Sequence, residues 1–323
     1  MSIGENIKRR RQELGLTQQD LADALGYKTR STITKIESGE NDVTQKKLMK
    51  IAEVLNTSVE SLFADSTFFP TTSKNDAAYS LSITTPTKAN DEQKNVVILL
   101  AGGQSVRNHY NIPNQFINIL GKPVIIYCLE AYQAHPAIDD IYVVCLQGWE
   151  KIVQSYAEQY HITKLRGVIQ AASSGILSLK NGINRIKDIY NPKDIIIIQE
   201  SNRPMITVDM ISKLLQATYE HDCATISQNT KDKVHFIFQN QKAEYVDRNT
   251  LIELQSPEAY RLSMIQKVFD TAQEKKHSLD ESCFTMLVYN MNYPINFIEG
   301  PLSNIKIVRQ EDIKIFETLL KNL

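Results

Sequence analysis

Residues 99–125 read LLAGGQSVRNHYNIPNQFINILGKPVI. An apolar run of strand length, 96–101, enters this stretch, breaks at Gly102 and Gly103, and gives way to a helical pattern over 123–133. Further β-branched runs follow at 141–145, 167–170 and 195–199, with a helical pattern at 176–186 between two of them. Strands separated by helices are the mark of βαβ units, so the spacing predicts an α/β domain built on a mostly parallel sheet. A stretch over 224–246 alternates differently and reads as an excursion of antiparallel strands.

Upstream the texture changes. Residues 3–63 carry Ile, Leu and Ala at helical spacing with no strand-like alternation. Thr17, Thr29, Thr44 and Ser58 stand where N-caps belong, and Gly15, Gly26 and Gly39 punctuate the ends, which predicts five short helices. Between the two textures, 66–94 is rich in Ser, Thr, Asn, Lys and Pro and reads as a flexible tether. The expected organisation is therefore an all-α domain over 1–65, a linker over 66–94 and a larger domain over 95–323.

A length of 323 residues suits two domains. The formal charge of −1 offers no global attraction for nucleic acid or membrane, so any DNA binding must be local. Cys128, Cys145, Cys223 and Cys283 lie far apart without a CxxC pair, as expected of reduced thiols in a cytoplasmic protein rather than a zinc site. No apolar run is membrane-sized, and the basic run at 8–11 is not followed by the apolar segment of a signal peptide.

Within the first domain, LTQQDLADALGYKTRSTITKIESGE (16–40) places a helix over 17–25, a turn at Gly26 and a second helix over 30–37. Ala22 suits the helix crossing, Ile33 and Ile36 point inward, and Ser31, Thr32 and Lys35 point out. That is what a recognition helix needs: apolar residues to fix it and short polar or basic ones to reach base edges. The segment resembles the lambda-repressor-like helix-turn-helix family over about residues 3–63. The resemblance implies that Gln18 meets the DNA backbone, that Arg30, Ser31 and Lys35 face bases, and that Lys28 and Thr29 face phosphates or the first base. The choice among 28–31 stays open, because the turn is one residue longer than in some members. Residues 1–50 hold ten basic and seven acidic side chains. So modest an excess makes one copy a weak binder, and a two-fold dimer on a palindromic operator is the natural remedy.

From Asn95 onward five pieces, in order, resemble the 2-C-methyl-D-erythritol 4-phosphate and ribitol 5-phosphate cytidylyltransferases: the opening stretch, SSGILSLKNGI (173–183), IIIIQESNRPMI (195–206), VDRNTLIELQSPEAYR (246–261) and NIKIVRQED (304–312). The resemblance implies a Rossmann-like nucleotidyltransferase fold, a dimerisation arm at 224–246 and attack of an alditol phosphate on the α-phosphorus of CTP, with Mg²⁺ as cofactor. It also implies roles: Ala101, Gly102 and Gly103 cradle the triphosphate and Arg107 stabilises the transferred phosphate. Ser178 meets the cytidine part; Arg248, Thr230 and Asp280 meet the substrate; Lys306 meets both phosphates; Glu200 takes the metal position. Negative charge gathers on a five-coordinate phosphorus, hence the demand for amides, cations and metal. Taken singly, Arg203 could merely fasten its loop to a carboxylate, Asp280 could cap a helix and Lys306 could be a surface lysine.

Five positions depart from the family's pattern. Asn114 replaces a lysine of the catalytic set, a loss of the kind that costs about 3 kcal/mol, or roughly 10² to 10³ in rate. Ser105 replaces a loop glycine, Glu200 an aspartate, Gly175 an arginine and Leu279 a threonine. Two readings follow: a cytidylyltransferase with a DNA-binding head, or a catalytically impaired sensor of nucleotide or sugar phosphate that modulates a transcriptional regulator.

Overall fold

The computed structural model describes residues 3–40, 43, 45–57, 62, 93–104 and 112–322. In the N-terminal part, α1 (Ile3–Glu13), α2 (Gln18–Ala24), α3 (Ser31–Glu37) and α4 (Gln45–Val54) are helical. They enclose one apolar core that includes Ile7, Leu21, Ala22, Ile33, Ile36 and Leu55. Leu62, itself helical and buried, joins that core, while most of the expected fifth helix falls outside the described residues. Thr17 caps α2 through a capping box with Asp20, and Gly26 turns the chain at φ +79°, a left-handed conformation that a side chain would strain. The expected tether also lies outside the described residues, save Gln93 and Lys94, which hydrogen-bond Lys193 and Asp194 and so belong to the second domain.

That domain is a seven-stranded sheet in the order β11-β7-β10-β6-β1-β4-β5. Its strands are β1 (Asn95–Ala101), β4 (Asp140–Cys145), β5 (Leu165–Gln170), β6 (Ile195–Glu200), β7 (Cys223–Asn229), β10 (Ile252–Arg261) and β11 (Phe297–Glu299). Strands β4, β1 and β6 run parallel, as do β4 with β5 and β7 with β11; β10 alone runs against its neighbours. Side chains alternate between two cores, as period-two geometry requires. Val97, Leu99, Val143 and Ile197 face one core, with α5 (Val124–Ala134), α6 (Glu150–Gln159) and α8 (Val208–His221). Val96, Ile98, Val144 and Ile198 face the other, with α7 (Gly175–Ile186), α9 (Leu262–Glu274) and α10 (Phe284–Asn290).

The antiparallel excursion is shorter than the sequence suggested. Residues 223–229 form an inner strand of the main sheet, between β10 and β11, because Cys223 to Ser227 are buried on both faces. What leaves the sheet is the hairpin of β8 (His235–Gln239) and β9 (Lys242–Val246), whose Phe236, Ile237, Phe238 and Tyr245 are exposed. A small ladder, β2 (Asn118–Ile119) with β3 (Lys122–Pro123), packs with the final helix α11 (Gln310–Lys321) around Ile117, Val124, Ile307 and Phe316. This fourth core anchors the backbone on either side of Lys306.

Candidate functional site

From β1 the chain moves outward to β4 and β5, then returns to β6 on the other side of β1. Such a reversal leaves a crevice beyond the carboxyl ends of the two strands, where open α/β sheets bind ligands. A cavity of about 860 Å³ occurs there, walled by Gly102, Gly103, Ser178, Glu200, Arg203 and Lys306 among others. It lies within the size range of small-molecule sites.

The glycine turn is required by packing. A Cβ on Gly102 would fall 2.5 Å from the Cβ of Ala171, so the β1 exit can pass the β5 exit only without a side chain. Gln115 then fixes the turn by donating to the carbonyls of Ala101 (2.7 Å) and Gly103 (2.9 Å). Ala101 itself is buried under the turn, and Arg107 and Ser105 lie outside the described residues. Ser178 is buried on the wall; its Oγ accepts from the Ala172 amide and donates to the Ser174 carbonyl, holding the loop that enters α7.

Charge is concentrated on one carboxylate. Lys306 Nζ donates to Glu200 Oε1, and Arg203 Nε donates to Glu200 Oε2 at 3.1 Å. Burial pushes the Glu200 carboxyl up, but Lys306 and then Arg203 outweigh it and hold it below the usual range. Arg203 also donates to the Asn304 carbonyl at 2.8 Å, so the fastening role and the site role coincide in this side chain.

Several predicted residues stand elsewhere. Asn114 is not on the cavity wall: its Nδ2 donates to the carbonyls of Ile307 (3.1 Å) and Val308 (3.3 Å), so the amide that replaces a lysine ties down the Lys306 segment. Arg248, in a short 3-10 turn, and Asp280 are exposed and off the wall. Thr230 is buried and donates to the Leu251 carbonyl at the base of the hairpin. Sequence reasoning missed Gln115, Asn304 and Glu258; the first two act on backbone, and the third sits on the cavity floor.

In the head, Lys28, Thr29, Arg30, Ser31 and Lys35 are exposed and Thr32 is half-buried. Gln18 is turned inward: Nε2 donates to Glu37 Oε2 at 2.9 Å and Oε1 accepts from Thr34 Oγ1 at 3.1 Å. Beneath it, Arg11 and Glu37 form a buried two-pronged ion pair. Helix α3 has no side-chain cap of its own, but Gln19 of α2 accepts from the Arg30 amide at 3.2 Å. Neither device was visible in the spacing.

Residues 95–322 match the family described as IspD, 2-C-methyl-D-erythritol 4-phosphate cytidylyltransferase. The chain belongs to that family. Residues 7–62 match the helix-turn-helix family HTH_3. A ribitol-5-phosphate cytidylyltransferase of Lacticaseibacillus paracasei is 30% identical over 227 residues, covering 69% of this chain and 97% of the relative. A 2-C-methyl-D-erythritol 4-phosphate cytidylyltransferase of Clostridium botulinum is 28% identical over 233 residues, 71% of this chain and 99% of the relative. In fold, the 4-diphosphocytidyl-2C-methyl-D-erythritol synthase of Anaerococcus prevotii superposes with a TM-score of 0.60 at 19% identity, over 72% of this chain and all of that one. Both the fusion and the cytidylyltransferase fold expected from sequence are thus met.

Proposed function

We propose that the second domain transfers CMP from CTP to an alditol phosphate, with ribitol 5-phosphate the first candidate, giving a CDP-alditol and pyrophosphate. The observation that carries this reading is the cavity at the β1–β6 crevice, where the glycine turn, Lys306, Arg203 and Glu200 face one space. Its likeness to a ribitol-5-phosphate cytidylyltransferase supplies the substrate class. In the reaction a substrate phosphate oxygen bonds to the α-phosphorus and the bond to the bridging oxygen breaks, releasing pyrophosphate. Amides of the Gly102–Gly103 turn suit the triphosphate. On binding, Lys306 exchanges the Glu200 carboxylate for phosphate oxygens and meets the charge that grows in the transition state.

Glu200 is the residue that would hold Mg²⁺. A single partly open carboxylate fits this ion, which is commonly bound by one or two carboxylates together with the substrate's own phosphates. The metal supplies Lewis-acid charge at the phosphates when bound.

The head is assigned to a palindromic DNA operator, reached by a cytoplasmic homodimer that regulates transcription. Support comes from the helix-turn-helix match, the exposed Arg30, Ser31 and Lys35, and the exposed apolar hairpin 235–246, which suits a second copy. Among the described residues no helix is long and apolar enough to cross a membrane.

Asn114 favours a second reading, a nucleotide or sugar-phosphate sensor, because its side chain is spent on backbone. Pyrophosphate release from CTP, Mg²⁺ and a panel of alditol phosphates separates the two. Release well above that of Lys306→Ala is expected; none above it would leave the sensor. For the head, Arg30→Ala is expected to relax sequence preference by about 1–3 kcal/mol per half-site. Unchanged operator affinity in an anisotropy titration would remove Arg30 from the interface.

A further inference from the structure

Glu258 lies on the floor of the cavity and is 5% exposed. Three donors converge on one of its oxygens: the Tyr260 hydroxyl (2.8 Å), the Thr285 amide (2.8 Å) and the Thr285 hydroxyl all reach Oε2. Oε1 receives none of them. A carboxyl can serve about four hydrogen bonds through its two oxygens, so the satisfied oxygen is a mount and the other is spare. Sinking a carboxyl without a cation is costly, and the groups that act on Glu258 are Tyr260, Thr285 and the like charge of Glu200, with Thr225 and Cys283 beyond. None of these is a cation.

Glu200 is the carboxyl that engages Lys306 and Arg203, whereas Glu258 has only hydroxyl and amide partners, so an anionic ligand group is met by those two cations rather than by Glu258. What suits a carboxyl oxygen at the floor of such a cavity is a neutral hydroxyl that can donate to it.

Building on the cytidylyltransferase reading, we propose that Glu258 is a specificity residue whose Oε1 accepts a hydrogen bond from a ligand hydroxyl of the polyol kind. Two parts of the reactants carry that chemistry: the ribose of the nucleotide and the chain of the alditol phosphate.

The test is calorimetric titration of the full chain and of Glu258→Gln with paired ligands. One pair is CTP with its 2′-deoxy and 3′-deoxy forms; the other is ribitol 5-phosphate with deoxy analogues, in the presence of saturating CTP analogue. Gln keeps an acceptor for the Thr285 amide, and thermal unfolding verifies that the fold survives. The intact protein is expected to prefer one hydroxylated ligand over its deoxy form by about tenfold, and Glu258→Gln to collapse that ratio towards one. Collapse for the CTP pair assigns the ribose, and collapse for the ribitol pair assigns the alditol. Should both ratios survive in a folded Glu258→Gln protein, the assignment is overturned and Glu258 is a clamp on α10. Absence of any CTP binding by the intact chain would instead remove the nucleotide reading on which the assignment rests.

Discussion

The head and the cytidylyltransferase domain each pair a glutamate with an arginine, and they use it in opposite ways. In the head, Arg11 and Glu37 are sealed, with side chains 8% and 3% exposed, and Arg11 also donates to the Leu16 carbonyl. In the second domain, Arg203 is equally sealed at 9%, but Glu200 and Lys306 are open at 32% and 39%. A pair with no access to solvent can only hold its fold together, because separating it strands a charge in a poor dielectric. A pair on a cavity wall is open to trade, and in the proposed reaction phosphate replaces what the lysine gives up. Burial, not residue type, divides structure from function here.

The hardest blow to this contrast comes from the sealed pair. Arg11→Ala is expected to destabilise the head by about 3–5 kcal/mol, because it leaves Glu37 buried without its cation. Chemical denaturation followed by helical circular dichroism reads it, and a loss under about 1 kcal/mol would show that the pair is not sealed. The open pair should behave inversely. Lys306→Ala is expected to lower pyrophosphate release by about 10² to 10³-fold while shifting stability by no more than about 1 kcal/mol; a large stability loss would make Lys306 structural.

Asn114 sharpens the same line. Removing its side chain frees the carbonyls of Ile307 and Val308, so Asn114→Ala is expected to cost about 1–2 kcal/mol and to raise the KM for CTP through a displaced Lys306. An unchanged unfolding midpoint would show that the tie contributes nothing.

The smallest effect concerns Glu258, a buried acid with no cationic partner among the described residues. Full burial pushes its carboxyl above the usual range, with Thr285 and Tyr260 offsetting only part of that. A raised carboxyl favours the protonated folded state, so the contribution to stability is present below the ordinary value and is lost as pH climbs through the raised one. Glu258→Gln escapes that loss. Its stability is expected to gain on the parent's as pH rises from about 4 towards neutrality, read as the difference in unfolding midpoint across that range. A gap that widens in acid would reverse the sign of the shift.

Part of this arrangement was legible in the order of residues. The run 96–101 ending in Gly102–Gly103, and the periodicities on either side of Gly26, follow from backbone rules that act over a few positions, and they yielded both domains. Glu200, Arg203 and Lys306 were named as well, though as separate contacts. The ion pair that joins them spans 106 positions between Glu200 and Lys306, and no local pattern encodes it. The tie made by Asn114 was hidden for the same reason: its partner Ile307 is 193 residues away, so no local pattern shows that the amide standing in a lysine's place also braces backbone. Residues 224–229 misled because an inner strand and an arm share the same alternation until burial on both faces tells them apart.

The chain's linear order by itself determined which elements form and in what class of fold, since helix and strand periods are written within each segment. Only the tertiary structure decided which charges are sealed and which are exchangeable, because the dielectric around a carboxylate is set by whatever distant segments pack against it.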